Sequence, residues 1–593
     1  MNSLDAALRM HIRPNVGLWD PELNAVTPLD HYGQLSTALA LLLLDEQGGG
    51  GWRQPLDAWL ALGNGSLGHL PFNRFLLLLL RDVLIRRGAH EEDLGRITQG
   101  LARCNLKKRY PSNNWSLLAQ LCRVIEAIPA QRSAQMKRFC RLLDRWMTPA
   151  GGFIDFPAHP QRGGATPMTY HHKALFLAMT AAWFQDDVAL TPRIQRLLEW
   201  VDLCWDGGGY VGGFGRSTHA LFGDGCLLAS LTLLGLAGGR EDRSGWPVMM
   251  DGILRRLQSQ RREDGFYGLN PARVEGRCGW DGYMALSVYN AWFAAVLAWA
   301  RTITTVRPIP RCLETVSLSR LPVDSTGNER GQAALIHDDR AGLLKLATES
   351  GLTVLFSTRG QPPQAFSQHE MEFRYSGGVP FHVRVGNEVV VPPPIRVGRE
   401  TLVCHPVLAG WTPVFLVDER YFGLTDFTQA AVEESEDAYY IQLQGHPSAL
   451  CRRPVEGGWP RLRAALDWRL LGGVWGRQEA LRRERCEALW GMIKVRIDRR
   501  RLEVLVEVWV ENKLGVAAVY LNPAGHVLTD HARACMKEWR QQPEGCQAAG
   551  LNPATDHGDE WVVMPILSAL APAKAFCHAP VVWSAGSVGY SLR

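Results

Sequence analysis

The feature that most constrains the fold is a set of six long apolar runs in the first half of the chain, each opening on a small polar or aromatic residue. The runs have helical spacing and are separated by Gly, Pro and polar turns. The opening residues are Asp30, Asn73, Asn113, Tyr170, Asp224 and Asp281, at intervals of 40 to 57 residues. Each interval has room for two helices and a loop, and a helix pair must bury its apolar face against neighbours. The spacing therefore predicts six helix pairs closed into an α/α toroid, with the opening residues at one end of its cavity.

The sequence changes character at Thr302–Arg311, where two prolines in a short polar segment indicate a linker. The segments beyond it alternate apolar and polar residues, as in Leu352–Thr358 and Ile493–Asp498, between Gly, Pro and Asn turns. A chain of 593 residues is also too long for one core. We therefore predict an α+β protein with a toroid over residues 1–305 and an antiparallel β-sandwich over 306–593, and leave open a further division near residue 490.

Composition favours a soluble globular protein, because 46% of the residues are apolar and 21% are charged. The net charge of +5 is small for this length and argues against a nucleic-acid partner. The apolar runs Leu39–Leu44 and Phe75–Leu80 are far shorter than the roughly 20 residues that span a bilayer. Without a recognisable signal peptide, the sequence predicts a cytoplasmic protein that does not bind membranes. The 13 cysteines form no Cys-x-x-Cys pair, so neither a zinc knuckle nor a disulfide framework is predicted.

Several short motifs place polar and aromatic residues at the predicted helix starts. They are Asn113–Trp115, the glycine-aromatic turn Gly151–His159, Tyr170 with the two histidines after it, Gly215–Ser217, and Gln368–Phe381 in the β region. Related glycine-aromatic turns recur twice downstream. Together with the order of the two domains, these motifs make the chain resemble the toroid-type polysaccharide lyases, which include heparinase II/III-like, alginate and hyaluronate/chondroitin lyases. The chain departs from that family at Gly151, where the family has aspartate, and at Trp115, where heparinase-type enzymes have histidine.

The resemblance implies cleavage of a uronate-containing poly- or oligosaccharide by β-elimination. That reaction needs a group that neutralises the carboxylate, a base for the neighbouring C–H, and an acid for the leaving oxygen. The first role falls to Asn113 or Asn114. The proton-transfer candidates are His159, Tyr170, His171 and His172. The substrate-binding candidates are Arg216, His219, Asp224, Trp280, Asp281, Tyr283 and His369.

Each of these residues also has a structural interpretation, since an Asn before a helix is often an N-cap and buried His residues are often core. A second enzyme hypothesis is an inverting glycoside hydrolase with Asp224 and Asp281 as acid and base. A third is a glycan-binding protein without catalysis. Trp205, Tyr210, Phe214 and Tyr267 are further candidates for sugar-stacking platforms. No cofactor is predicted, a structural divalent metal in the β domain is left open, and the oligomeric state is not determined.

Overall fold

The computed structural model describes most of the chain. The described residues are 2–44, 50–108, 110, 112–155, 161, 163–164, 166–215, 220–238, 246–269, 284–316, 334–360, 370–378, 380–386, 388–391, 396–404, 409, 412–451, 458–470, 484–501, 504–514, 516, 518–521, 581–583 and 586–592. The chain forms two compact units. Unit 1 comprises Met1–Phe156 and Pro167–Val323, and unit 2 comprises Pro157–Thr166 and Asp324–Arg593.

Unit 1 is helical apart from three short strands near its start. The helices are α1 (Asn2–Met10), α2 (Gly33–Leu44), α3 (Arg53–Leu60), α4 (Leu70–Arg86), α5 (Glu91–Arg103), α6 (Asn113–Glu126), α7 (Pro129–Trp146), α8 (Met168–Phe184), α9 (Thr191–Cys204), α10 (Leu221–Gly238), α11 (Trp246–Ser259), α12 (Leu286–Val306) and α13 (Arg311–Glu314). The strands β1 (Ile12–Arg13), β2 (Gly17–Asp20) and β3 (Ala25–Val26) form one antiparallel sheet.

Six of these helices pack in a cyclic order. Helix α2 packs against α4, α4 against α6, α6 against α8, α8 against α10, α10 against α12, and α12 again against α2. The intervening helices α3, α5, α7, α9 and α11 each pack against the cycle helix that precedes them. The cycle helices are those that the apolar runs predicted.

Burial explains which helices form the cycle. Helix α8 buries every residue from Met168 to Trp183 except Tyr170, and α12 buries Leu286 to Ala300 without interruption. A helix that is apolar on all sides needs neighbours all round. Helix α7 instead buries only one stripe, which includes Met136, Phe139 and Leu143. Its other faces are polar, so it packs on the outside of the pairs. None of the described helices combines the length and apolar character that a membrane-spanning segment requires.

The loops after α7, α9 and α11 repeat one structure. Each contains an isolated antiparallel bridge between residues six apart: Met147 with Phe153, Trp205 with Val211, and Arg261 with Tyr267. These are the three glycine-aromatic turns that recur in the sequence. Gly151 shows why glycine is required, since its φ is +105° and an added Cβ would lie 2.3 Å from the carbonyl oxygen of Arg196.

The start and the end of unit 1 are joined by a buried polar contact. Oδ2 of Asp20, on β2, accepts hydrogen bonds from the backbone N–H of Ser287 at 2.8 Å and from its hydroxyl at 2.6 Å. Asp20 is fully buried. An acidic group at this position satisfies backbone N–H groups at the start of α12 and faces the positive end of the helix dipole. It therefore ties the first strands to the last long helix of the cycle.

Unit 2 is built mainly from antiparallel strands. They are β4 (Ala334–Asp338), β5 (Leu343–Ala347), β6 (Leu352–Ser357), β7 (Glu370–Glu372), β8 (Pro380–Val385), β9 (Glu388–Val391), β10 (Arg396–Gly398), β11 (Val414–Val417), β12 (Arg420–Gly423), β13 (Gln429–Glu434), β14 (Ala438–Gly445), β15 (Ser448–Ala449), β16 (Leu489–Asp498), β17 (Val504–Asn512), β18 (Ala518–Tyr520), β19 (Val581–Trp583) and β20 (Gly586–Leu592). Two helices accompany them, α14 (Arg399–Cys404) and α15 (Gly458–Leu470).

Three five-stranded sheets contribute to one apolar core in unit 2. Their strand orders are β4-β5-β6-β8-β9, β13-β14-β16-β17-β20 and β15-β12-β11-β18-β19, and β7 pairs with β10 separately. Strand β16 alternates buried and partly exposed residues along most of its length, as a strand with one face on a core must. The shared core contains Phe356 from the first sheet, Ile441 and Ile493 from the second, and Phe415 from the third. The antiparallel sheets predicted for this half are confirmed.

We predict that Gly151→Ala destabilises unit 1 by about 2 kcal/mol or more, because the substitution combines an unfavourable φ with a clash against the main chain at Arg196. Urea unfolding followed by circular dichroism measures the change. Gly95→Ala is the matched control, since Gly95 is exposed within α5 and a Cβ there would contact nothing within 4 Å. We expect the control to be stabilised by roughly 0.5–1 kcal/mol. Equal stability of the Gly151 variant and wild type would contradict the close packing of this turn.

Candidate functional site

The starts of α6 and α8 are linked by a buried polar network. Nζ of Lys173 donates a hydrogen bond to Oδ1 of Asn114 at 2.7 Å. Asn114 in turn donates to Asp155, from its backbone N–H to Oδ1 at 2.9 Å and from Nδ2 to Oδ2 at 2.8 Å. All three side chains are at most 1% exposed. This Lys173–Asn114–Asp155 network fixes the two helix starts against each other and against the loop after α7.

Lys173 is a buried ammonium group with few compensating contacts. Its Nζ lies 3.9 Å from the centre of the Phe72 ring, a cation–π contact from α4. Burial lowers the pKa of Lys173 to about 7, and the carboxylate of Asp155 and the nearby thiols of Cys226 and Cys122 oppose this only in part. The pKa of this side chain therefore lies far below the ordinary value for lysine.

The two asparagines at the start of α6 have different surroundings. Nδ2 of Asn114 donates to Ser112 as well as to Asp155, and its Oδ1 accepts from Lys173, so this amide is fully engaged inside the protein. Asn113 is half-buried, and its Nδ2 donates a hydrogen bond to the carbonyl of Ile154 at 2.7 Å. No other described residue forms a hydrogen bond with its side chain, which leaves Oδ1 and the second N–H for a ligand. The N-cap of α6 is Ser112 rather than either asparagine.

His171 has both ring nitrogens bonded to the main chain. Nδ1 accepts from the backbone N–H of Phe153 at 3.1 Å, and Nε2 lies 2.8 Å from the carbonyl of Leu197, to which it donates. The imidazole is fully buried, and burial lowers its pKa to about 3. In α12, Asn290 makes the corresponding contact, since its Oδ1 accepts from the backbone N–H of Tyr267. Both side chains hold the preceding glycine-aromatic turn.

His172 differs from His171, because its Nε2 is buried and no described residue forms a hydrogen bond with it. The side chain is 1% exposed, and burial lowers its pKa to about 3. A Cβ added at Gly212 would lie 3.5 Å from Cε1 of His172, so the second glycine-aromatic turn packs close to this ring. His172 is therefore neutral over the whole physiological pH range.

Tyr170 is the one half-buried residue in the otherwise buried first part of α8. It lies near the buried Tyr32 at the entry to α2, whose pKa is raised first by burial and then by the neighbouring Tyr289 and Tyr170. Tyr170 is the predicted proton-transfer residue that remains partly exposed in the described part of α8.

The opening residues of the predicted runs align differently from the sequence prediction. The fourth residues of α4, α8 and α10 are Asn73, His171 and Asp224, so His171 rather than Tyr170 matches the Asn and Asp positions. Nδ2 of Asn73 donates to the carbonyls of His31 and Gly68. These fourth positions are buried and hold neighbouring loops and helices. Tyr170, the opening residue that the sequence predicted for this run, lies one residue before the position that matches Asn73 and Asp224.

Asp224 is held in a buried ion pair. Its Oδ2 lies 2.7 Å from Nη2 of Arg256 on α11, and both side chains are at most 4% exposed. Burial raises the pKa of Asp224, and the charge of Arg256 opposes this. Arg256 also donates to the carbonyl of Gly209 and to Gln260. The pair connects α10, α11 and the loop after α9.

A continuous set of aromatic rings extends over the starts of α2, α4 and α6. The rings of Tyr32 and Phe72 stack with centroids 4.5 Å apart, and His69 lies 5.0 Å from Trp115. His31 lies 4.2 Å from His69. Of these five, His31, His69 and Trp115 are partly exposed, so they offer ring faces and polar edges to a ligand.

Several predicted residues lie outside the described part of the chain, and others are buried. His159, Arg216, His219, Trp280, Asp281, Tyr283 and His369 are not among the described residues. Trp205, Phe214 and Tyr267 are buried core residues, so their prediction as sugar platforms is wrong. Tyr210 is half-buried.

Sequence reasoning missed Lys173, Asp155 and His69. One signal was present for Lys173, because a lone charged residue stands just inside an apolar run that is otherwise long enough to be buried. Asp155 and His69 carried no periodic signal. They lie in loops, and only the folded chain brings them next to the helix starts.

We predict that Lys173 makes stability depend on pH in the alkaline range. Its pKa is about 7 in the folded chain and near 10.5 when exposed, so between these values the unfolded chain binds the additional proton. The contribution to the free energy of unfolding therefore rises with pH by up to about 1.4 kcal/mol per unit from pH 7 towards 10.5. Urea unfolding of wild type and of Lys173→Met over this range measures the free energy of unfolding at each pH. The rise with pH should be present in wild type and absent in the variant.

The control for this experiment is Lys107→Met, which removes an exposed lysine next to α6. We expect it to leave the pH dependence of stability as in wild type. An unchanged slope in Lys173→Met would show that the buried ammonium keeps an ordinary pKa.

We also predict that His171 and His172 do not titrate between pH 5 and 8, because burial lowers both pKa values to about 3. The unfolded chain binds protons at these positions below about pH 6.5, so stability falls as pH decreases from 6.5 towards 3. Nitrogen chemical shifts of selectively labelled histidine, assigned with His171→Asn and His172→Asn, test the prediction. A midpoint near 6.5 for either ring would refute it and would make that ring a usable base at neutral pH.

Comparisons with known proteins give only distant structural likenesses. No protein family and no curated protein sequence matches the chain. A glycosyl hydrolase family 88 structure from Bacteroides vulgatus has 9% identity and a TM-score of 0.34, over 46% of this chain and 93% of its own. A chondroitin AC lyase from Streptomyces coelicolor A3, in complex with chondroitin sulphate, has 10% identity and a TM-score of 0.43, over 88% of this chain and 67% of its own. These are glycan-processing enzymes of two reaction types, and TM-scores below 0.5 leave the function to be argued from the site itself.

Proposed function

We propose that the protein is a polysaccharide lyase that cleaves a uronic-acid-containing poly- or oligosaccharide by β-elimination. The observation that carries the proposal is the 2.7 Å bond between Lys173 and Asn114, which joins the starts of α6 and α8. Asn113 and Tyr170, both half-buried, lie on these two joined helix starts. An amide with free hydrogen-bonding capacity and a phenol are two of the groups that the reaction requires.

The proposed chemistry assigns one role to each group. An N–H of Asn113 donates to the uronate carboxylate, which makes the adjacent C–H more acidic. A base removes that proton, a C=C bond forms as the C–O bond to the leaving sugar breaks, and a proton passes to the leaving oxygen. Tyr170 acts as the acid and is a candidate base, and His159 remains the second candidate base. Lys173 is a positioning residue, which holds Asn114 at the start of α6.

The other predicted residues take different places in this proposal. His171 holds the turn at Phe153, since both of its nitrogens are bonded to the main chain. Asn114 orients Lys173 and Asp155. The substrate-binding roles of Arg216, His219, Trp280, Asp281, Tyr283 and His369 remain proposals from the family resemblance, as does the anionic nature of the glycan.

The glycoside hydrolase alternative requires two carboxylates that reach the sugar. Asp224 is 1% exposed and paired with Arg256, so it is poorly suited to serve as the acid or the base. The cyclic packing of α2, α4, α6, α8, α10 and α12 supports an α/α toroid as the architecture of unit 1. The core shared by three sheets supports a β-sandwich type of architecture in unit 2.

The test is incubation of the purified protein with a panel of anionic polysaccharides while the ultraviolet absorbance of the unsaturated product is followed. We expect Tyr170→Phe to lower kcat by about 10²–10⁴-fold, because it removes the hydroxyl that carries the proton and keeps the aromatic ring. Asn113→Ala should lower the rate with little change in stability, because its side chain makes one internal hydrogen bond. Asn114→Ala should instead destabilise the fold, because it leaves Lys173 and Asp155 unpaired.

Tyr440→Phe is the matched control, since Tyr440 is an exposed tyrosine of unit 2 and should not affect the rate. Chain cleavage without the ultraviolet signal would replace the lyase with a hydrolase. Glycan binding that survives Tyr170→Phe, with no turnover of any substrate, would indicate a binding protein.

A further inference from the structure

Two histidines and an aspartate come together where the chain enters α2 and α4. One nitrogen of His31, one nitrogen of His69 and a carboxylate oxygen of Asp30 all lie within 4.8 Å of one another. Nε2 of His31 is 3.9 Å from Oδ1 of Asp30, and the two imidazole centroids are 4.2 Å apart. Imidazole and carboxylate ligands together suit divalent ions of the zinc class.

The backbone holds His69 in an orientation that suits a ligand. Its Nδ1 lies 2.7 Å from the carbonyl oxygen of Asp30. An Nδ1–H that donates to a backbone carbonyl fixes the tautomer and leaves the Nε2 lone pair free, which is the usual outer hydrogen bond of a metal-binding histidine. His69 also has φ +44° and ψ +35°, a left-handed conformation that costs roughly 1–2 kcal/mol for a residue with a Cβ. The contact with Asp30 maintains this strained orientation.

His31 supplies a second, independent observation. Its Nδ1 is buried and has no hydrogen-bond partner among the described residues. An imidazole binds one ion through a single nitrogen, and Nδ1 is the nitrogen of His31 that an ion would satisfy, since a buried polar atom without a partner costs about 1–3 kcal/mol. The His31 ring is in tilted contact with the His69 ring, and Asn73 donates a hydrogen bond to the backbone carbonyl of His31.

We propose that Asp30, His31 and His69 bind a divalent transition-metal ion of the zinc class at the entry to α2 and α4. Three protein ligands leave a fourth position open for water or for an oxygen of a ligand. In a tetrahedral site with bonds of about 2.0–2.2 Å the donor atoms are roughly 3.4 Å apart. The cluster must therefore contract from its present spread. The Asp30 side chain is 66% exposed and can rotate to close it.

The proposed metal site lies beside the aromatic rings at the helix starts. His69 borders Trp115, which is partly exposed and follows Asn113 and Asn114 in α6. An oxygen ligand bound at the metal would lie beside the aromatic surface of the helix starts. This inference concerns metal binding alone and holds whether or not the protein proves to be a lyase.

The test is titration of chelator-treated protein with Zn²⁺ against a chromophoric competitor, together with the visible spectrum of the Co²⁺ form. We expect one ion per chain at this site and cobalt bands of a low-coordinate N/O environment. His31→Asn and His69→Asn should each weaken this binding by about 100-fold or more. Asparagine is chosen at residue 69 because it tolerates the left-handed conformation, so the variant should still fold.

His90→Asn is the matched control, since His90 is an exposed histidine just before α5 and should leave binding unchanged. Thermal unfolding in the presence of chelator verifies that all variants are folded. Absence of Zn²⁺ and Co²⁺ binding in wild type, or binding that both variants retain in full, would overturn the proposal.

Discussion

The burial of one ammonium group, that of Lys173, constrains the arrangement of the helix starts. A charged group inside an apolar cycle of helices is costly unless it is paired, and here the ammonium donates a hydrogen bond to Asn114 and is stabilised by the charge of Asp155. Those two residues come from α6 and from the loop after α7. The need to compensate Lys173 therefore fixes α6, α8 and that loop together, and Asn113 and Tyr170 are positioned as a consequence.

The repeats explain why so many polar residues at the helix starts are structural. Asn73, His171 and Asp224 occupy the same position in α4, α8 and α10, and each satisfies main-chain groups or an arginine. Helix starts leave unpaired N–H groups, and loops between helices leave unpaired carbonyls, so such contacts are required in every pair. The residues that we propose for catalysis lie next to these positions. Tyr170 and His171 therefore have different roles although they are neighbours in the chain.

Much of the fold could be predicted from the sequence. The apolar runs indicated α2, α4, α6, α8, α10 and α12, and alternation indicated β6, β14 and β16, because burial on all sides and burial on one face leave different periodicities. The site was predictable only in part. Asn113, Asn114 and Tyr170 lie at neighbouring helix starts. The sequence could not show that Asn114 accepts a hydrogen bond from Lys173, or that both nitrogens of His171 are bonded to the main chain. Hydrogen-bond partners more than twenty residues away leave no local pattern.

The sequence by itself determined which segments are helices or strands and which polar residue types stand at the helix starts. These follow from spacing and composition, which are local properties. Only the tertiary structure decided the pKa of Lys173, the difference between Asn113 and Asn114, and the meeting of Asp30 and His31 with His69. Each depends on desolvation or on contact between distant residues, and both arise only when the helices pack.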